Sequence, residues 1–410
     1  MVLSEKITAG VMLSDGTTFG LYENSILDAS ISSQCIPSSG FSFGGVCSAT
    51  LNMTFLSNLT SRYQLVGAKV HLSIYKGGAW QSFGVYNITS ASRWKNKFTI
   101  SASDNIIWLD KSVYSTDENM HKINEITSRL QGSVDIYSAL YTIIEVSEQH
   151  MAQSYDDIVQ LPGGDLSTTV FQEVTTDCPR DWLSWGAEFL CGFAIADAGG
   201  NVKIEQFETS PTAVITQSMV QTETTDIADF TLALVGARME VWDTTMGAVW
   251  YPDLENLPNS IFLDVTENWL IQGKHYLYGQ AMDILDNMTN AIGSIPYRPF
   301  SATVHSDVLY HLGQCVQLED SDGNYYNSVI THYDWSLHGG QVIKCAGEDT
   351  RLLADTKRRT QVKRVEEKIV TKMKNLNINV KSENEIKSLA EQGKLVTGTI
   401  YYDISGDENV

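Results

Sequence analysis

Between Ile7 and Ser112 apolar and polar residues alternate in short runs, a period of two that only strands with one buried face can satisfy. "SATLNMTF" puts Ala49, Leu51, Met53 and Phe55 on one side. "AKVHLSIY" does so with Val70, Leu72 and Ile74, and "KFTISA" with Phe98, Ile100 and Ala102. Asp15-Gly16, Gly44-Gly45 and Gly77-Gly78 read as the turns between strands. Residues 1–112 are therefore expected to form a small antiparallel barrel or sandwich.

The period lengthens after Tyr114. "INEITSRL" and "DIYSALYTIIEVSEQHM" are apolar at helical spacing, the second at Ile136, Leu140, Ile143 and Ile144. "TTDCPRDWLSWGAEFLCGF" reads as a helix with Asp177 as N-cap, Pro179 in the first turn and Gly192 as its stop. Trp182, Trp185, Phe189 and Leu190 share one of its faces. The following "FAIADAGGNVKIEQF" signals a hairpin around Asp197 to Asn201. Residues 113–216 thus read as a compact α+β domain. From 217 to 355 strand patterns return, with a helical interlude, "HYLYGQAMDILDNMTNAIG", and a closing meander divided by turns at Asp322-Gly323-Asn324 and Gly339-Gly340. The expected fold class is α+β, mainly β, with a charged helix and a short β-like tail over 356–410.

With 43% apolar and 19% charged residues, the 410-residue chain can bury a substantial core. Its formal net charge of −21 is uneven: "TKRRTQVKRVEEKIVTKMK" (Thr356 to Lys374) carries eight Lys and Arg against two Glu, leaving about −27 on the rest. Such a body repels polyanions, which argues against a general nucleic-acid-binding surface, while the cation density of the basic segment leaves a nucleic-acid arm as the alternative reading there. Under the basic segment lies a narrow stripe, Val362, Val365, Ile369, Met373 and Leu376, spaced for one helix face. That stripe suits association with other helices or docking on the acidic body, and these five residues are the candidate oligomer interface. No run approaches the roughly 20 apolar residues of a membrane span, and "MVLSEKITAG" lacks the order of a secretion signal, so no stable membrane anchor and folding in a cytoplasm are expected.

Motifs for catalysis are missing: no GxxxxGK[ST], HExxH, GxSxG or GxGxxG after a strand. "EDSDGNYYN" opens like a calcium loop at Asp320, Asp322 and Asn324, but its glycine is misplaced and no Glu closes it, so a solvated hairpin turn is expected. His305 with Asp307, or His332 with Asp334, could form half of an acid/base pair, and neither shows a third partner. The spacing of Trp182 and Trp185 places them in a core rather than on a stacking platform. Six cysteines without CxxC spacing are expected to be buried and reduced. No enzyme activity, cofactor or metal ion is expected.

Several segments, taken in order, resemble the baseplate hub proteins of tailed bacteriophages and contractile injection machines, including the N-terminal hub part of tail-associated lysins. They are "FSFGGVCSATLNMTFL" (Phe41 to Leu56), "CPRDWLSWGAEFLCGFAIADAGGNVKIEQF" (Cys178 to Phe207), "SIPYRPFSATV" (Ser294 to Val304) and the run from Leu312 to Glu348. Where such proteins often carry a Gly-Asp-Pro turn, this chain has "VHSDVLYHLGQC". The resemblance covers about residues 5 to 350. It implies two small β-barrel hub domains (1–112 and 217–355) flanking the α+β domain, in a homotrimeric ring that adapts a sixfold tail tube to a threefold tip. It further implies gating of the channel for tape measure and DNA release, with DNA only in transit. The implied partners are a distal tail or tail tube protein, the tape measure protein, and a tip, spike or fibre protein. The implied location is the virion tail tip, after assembly in the host bacterial cytoplasm. Other readings are a cell-wall hydrolase and a host-receptor-binding tail component.

Overall fold

The alternating runs become seven antiparallel strands: β1 (Lys6–Met12), β2 (Thr18–Tyr22), β3 (Ile26–Gln34), β4 (Thr50–Leu56), β5 (Lys69–Lys76), β6 (Ala79–Trp94) and β7 (Lys97–Asp104). The computed structural model describes residues 6–36, 41–110, 112–170, 176, 178–221, 225–231, 233–240, 248–251, 260–272, 278–305, 308–347, 378–381 and 400–403. The seven strands lie in the order β3-β4-β7-β6-β5-β1-β2. Leu51, Phe55, Val70, Leu72, Ile74, Phe98 and Ala102 are fully buried. Facing partners such as Phe55 and Phe98 stack across the ladder at 5.8 Å. The inward faces of β1, β3, β4, β5, β6 and β7 share a single core, so this part of the sheet curls over its own apolar face. Each large side chain it buries contributes about 2 kcal/mol.

Two of the three expected turns are present. Asp15 accepts the Thr17 N–H at 2.9 Å beside Gly16, and Gly77 and Gly78 both have positive φ, as a tight two-residue hairpin requires. Gly44-Gly45 is different. This stretch pairs in parallel with the backbone near Ala194, and a Cβ on Gly45 would lie 1.8 Å from the Cys35 carbonyl oxygen. Glycine is required there for close approach of two backbones, not for a turn.

The middle segment contains α1 (Thr116–Arg129), β8 (Gly132–Asp135), α2 (Ile136–Val146), α3 (Tyr155–Val159), β9 (Ser167–Val170), α4 (Pro179–Phe189), β10 (Gly192–Ala196) and β11 (Val202–Gln206). Ser115 and Glu118 close a capping box on α1, and Asp135 caps α2 by accepting the Ser138 N–H at 2.8 Å. The start and stop of α4 differ from expectation. Its N-cap is Cys178, which makes no side-chain capping bond, and Pro179 begins the helix directly. Cys191, at φ +58°, reverses the chain after Phe189. Gly192 instead opens β10, where a Cβ would lie 2.3 Å from the Glu205 carbonyl oxygen. The hairpin is as expected: Asp197 accepts N–H bonds from Gly199 and Asn201, both at 2.8 Å, and Gly192 pairs with Gln206.

Beyond it come β12 (Ala213–Ile215), β13 (Asp226–Ile227), β14 (Ala233–Glu240), β15 (Ala248–Tyr251), β16 (Ser260–Asp264), α5 (Trp269–Gln272), α6 (Tyr278–Gly293), β17 (Phe300–Val304), β18 (Cys315–Glu319), β19 (Tyr325–Val329), β20 (His332–Ser336) and β21 (Gly340–Cys345). The expected closing meander is divided between two sheets. β18 and β19 join β12, while β20 and β21 continue the large sheet, in the order β13-β17-β21-β20-β3. The crossing occurs at buried Ile330 and Thr331, whose N–H groups donate to Gln314 and Lys344 carbonyls at 2.9 and 2.8 Å. β20 pairs antiparallel with β3, His332 opposite Gln34, so the early and late strands form one eleven-stranded sheet. Trp335 of β20 projects into the first core and packs on Phe83 at 4.7 Å.

A second core runs without interruption from the helices into β17, β18 and β21. Gly186 lets α4 approach α2, since a Cβ there would sit 2.5 Å from Leu140 Cδ2. Residues Met1–Glu348 form one compact unit and Asp349–Val410 another. In the second unit β22 (Ile378–Lys381) and β23 (Ile400–Asp403) pair in parallel. The expected charged helix over Thr356 to Lys374, with Val362, Val365, Ile369, Met373 and Leu376, lies outside the described residues. The mainly β, α+β class stands.

Candidate functional site

The polar candidates from the sequence do not converge. His332 and Asp334 alternate along β20; burial lowers the imidazole pKa, Asp334 opposes this, and no third catalytic group joins them. Asp307 lies outside the described residues, which leaves the His305 pair without structure. Asp320 spends its carboxylate on its own turn, accepting the Asp322 and Asn324 N–H groups at 2.9 and 2.8 Å, and these bonds lower its pKa. That is the hairpin turn expected of this stretch, with Tyr325 opening the next strand. Trp182 is completely buried and meets Trp185 edge-on at 5.2 Å, so it is core.

Two carboxyls are enclosed. Asp104 is pushed up to about 6 by burial, against hydrogen bonds from Ala49 N–H at 2.8 Å, Ser48 Oγ and Ile106 N–H at 3.1 Å each. It fastens the end of β7 to the start of β4. Burial likewise raises Glu188 to about 8, opposed by a 2.8 Å bond from Asn268 Nδ2 and reinforced by nearby Asp264. Asn268, itself buried, also donates to the Trp185 carbonyl, so the pair locks α4 to the segment entering α5. Among the described residues no group of three His, Cys, Asp or Glu could hold a metal ion. All six cysteines are buried and free. Burial raises the thiols of Cys35, Cys47, Cys191, Cys315 (to about 11) and Cys345 (to about 12), which keeps them protonated and unreactive.

What the first unit does present is aromatic surface. Tyr63 is 72% exposed, Trp94 and Tyr22 69% and Trp80 53%, all on the curled sheet and its connections. Trp94 ends β6, with the Lys95 ammonium 4.8 Å from its ring; the Arg62 guanidinium lies 5.0 Å over Tyr63. On the helices Tyr137 stacks with Tyr141 at 6.2 Å and meets Tyr155 edge-on at 5.5 Å. Aromatic rings are enriched at protein–protein contact surfaces relative to the rest of a protein's exterior. The helical spacing of Trp182 and Trp185 marks them in the sequence, whereas these exposed rings carry a weaker signal. Their signal was an aromatic on the polar phase of a strand or inside a turn, as in "RWKNK" and "SRYQ". Among the described residues no helix is long and apolar enough to cross a membrane.

No protein-family model matches the chain, and neither does any curated protein. The structure is similar to those of phage tail and baseplate proteins. A tail protein from Neisseria meningitidis matches with a TM-score of 0.46 and 11% identity, covering 84% of this chain and 97% of that one. The 43 kDa tail protein of prophage MuSo2 from Shewanella oneidensis gives 0.47 and 12%, with the same coverage. A chain of the phage p2 virion baseplate in its activated conformation gives 0.32 and 11%, covering 84% and 99%.

Proposed function

We propose that the chain is a structural hub of a phage or phage-like tail tip, working through protein contacts rather than covalent chemistry. The observation that carries this is the set of exposed aromatic rings held on rigid strands and helices of one large unit, Met1–Glu348. The ordered sequence segments between residues 5 and 350 support the hub assignment. Three copies form a ring in which β-rich parts alternate, matching a sixfold tube on one side and a threefold tip on the other. Such a ring needs large complementary surfaces. It binds a distal tail or tube protein, the tape measure protein and a tip or spike protein, and it gates passage of tape measure and DNA. The acidic body lets DNA pass without sticking.

The basic helix over 356–374 meets its copies through Val362, Val365, Ile369, Met373 and Leu376, or docks on the acidic body. Deleting residues 356–410 is expected to weaken trimerisation or tip attachment; unchanged assembly overturns that role. For the hub as a whole, electron microscopy of purified protein with its neighbouring tail proteins is expected to show a threefold ring. A protein that stays monomeric in every mixture, or one that clears bacterial cell wall in a zymogram, overturns it.

A further inference from the structure

The β6–β7 hairpin ends in a cluster unlike the rest of this acidic chain. Arg93, Lys95 and Lys97 surround exposed Trp94, and Arg62 with Tyr63 stands beside them. The cluster is fixed in place: Arg93 donates to the Lys95 carbonyl at 2.7 Å and to the Thr60 carbonyl, and the Ser57 N–H donates to the Asn96 carbonyl at 2.9 Å. No carboxylate pairs with Arg62, Arg93, Lys95 or Lys97 among the described residues. Lys95 over Trp94 and Arg62 over Tyr63, with Lys97 nearby in the sequence, select an anionic surface that also offers aromatic contact.

The same chain carries such a surface. Tyr141 and Tyr155 are exposed on α2 and α3, with Asp156 and Asp157 beside them. The cations there are already engaged, Arg129 by Glu145 at 2.7 Å and Lys203 by Glu205 at 2.5 Å. The hairpin tip stands at the Lys97 end of β7, while the helices follow its Asp104 end, about 25 Å along the strand. Among the described residues no hydrogen bond, ion pair or ring contact joins the two surfaces within one chain.

We propose that the basic, aromatic hairpin tip of one copy docks on the acidic, tyrosine-bearing helical face of the next, forming a head-to-tail contact. The local acids of that helical face, Asp156 and Asp157, complement the basic tip although the copies share a net charge of −21, and a heterologous contact of this kind forms a ring when its rotation closes. The inference rests on the hub reading and gives its ring a specific interface.

The test uses full-length protein and two variants of exposed residues. The tip variant is Trp94→Ala with Lys97→Glu; the face variant is Tyr155→Ser with Asp156→Lys. Circular dichroism checks folding, and sedimentation velocity reads association. Each variant alone is expected to self-associate at least about tenfold more weakly than wild type. An equimolar mixture restores one good contact and is expected to form dimers that do not close. Wild-type association should weaken as salt rises. Variants that assemble like wild type, or wild-type protein that remains monomeric on its own, overturn the interface and leave the hub standing. Normal assembly with lost binding to dextran sulfate assigns the tip to a polyanion and overturns docking between copies.

Discussion

Replacing Glu188 with Gln isolates the effect of one enclosed carboxyl. Glu188 accepts the Asn268 amide at 2.8 Å on α4, and a Gln carbonyl can accept the same bond. Burial raises the acid from 4.5 to about 8 in the folded chain, so the folded state holds the proton where the unfolded state has released it. Below pH 4.5 both states are protonated and the group costs nothing. As pH climbs from 4.5 to about 8 the wild type loses stability, and above that the loss is complete. A rise of this size corresponds to ~5 kcal/mol at full effect. The Glu188 residue keeps a minor solvent-exposed part, so screening reduces the measurable loss to about 2 kcal/mol. Urea unfolding at pH 5, 7 and 8.5 should show Glu188→Gln close to wild type at the lowest pH and increasingly more stable above it. Asp104 titrates in the same direction but is common to both proteins, so it cancels in the difference. Parallel stability curves across this range would refute the placement of Glu188 in an enclosed, Asn268-bonded site.

Gly45→Ala is expected to lower the unfolding free energy measured in urea by about 3 kcal/mol, because its Cβ collides with the Cys35 carbonyl, which belongs to backbone and cannot swing away. Trp182→Ala should cost about 4 kcal/mol by the same assay. Trp182→Phe should cost much less, since it fills most of the space and removes an indole N–H that has no partner among the described residues. Calcium should leave the melting temperature unchanged, because Asp320 already directs its carboxylate at the backbone of its own turn; a calcium-dependent rise would mean that the turn opens to bind the ion.

The one-sided strands were legible because their period is local: Leu51, Met53 and Phe55 announce their common face without knowledge of any other residue. So was α2, whose Ile136, Leu140, Ile143 and Ile144 fall where a helix buries them. Gly44-Gly45 was misread because two adjacent glycines signal a turn, whereas here they answer a demand made by Cys35 and Ala194, distant in sequence. Cys191 could not be foreseen as the reversal after α4, since cysteine seldom adopts positive φ and Gly192 next to it is the better candidate. The division of the closing strands between two sheets depends on which edge each finds, and an alternating pattern is the same for either edge. The exposed rings were hidden for a related reason: aromatic residues suit strands as such, and their orientation follows from register.

The pairing of β3 with β20 also bears on the birth of the molecule. Cys35 and Thr331, bonded where the two strands meet, are separated by 296 residues. At roughly 5 to 20 residues per second, a ribosome needs about 15 to 60 s to deliver the second after the first. Throughout that interval β3 has an unsatisfied edge, and the first core lacks the indole of Trp335. The early strands must therefore emerge as an unfinished sheet, open to pairing with nascent neighbours on the same message. For this chain, synthesis is a period of exposure that ends only when its late strands arrive.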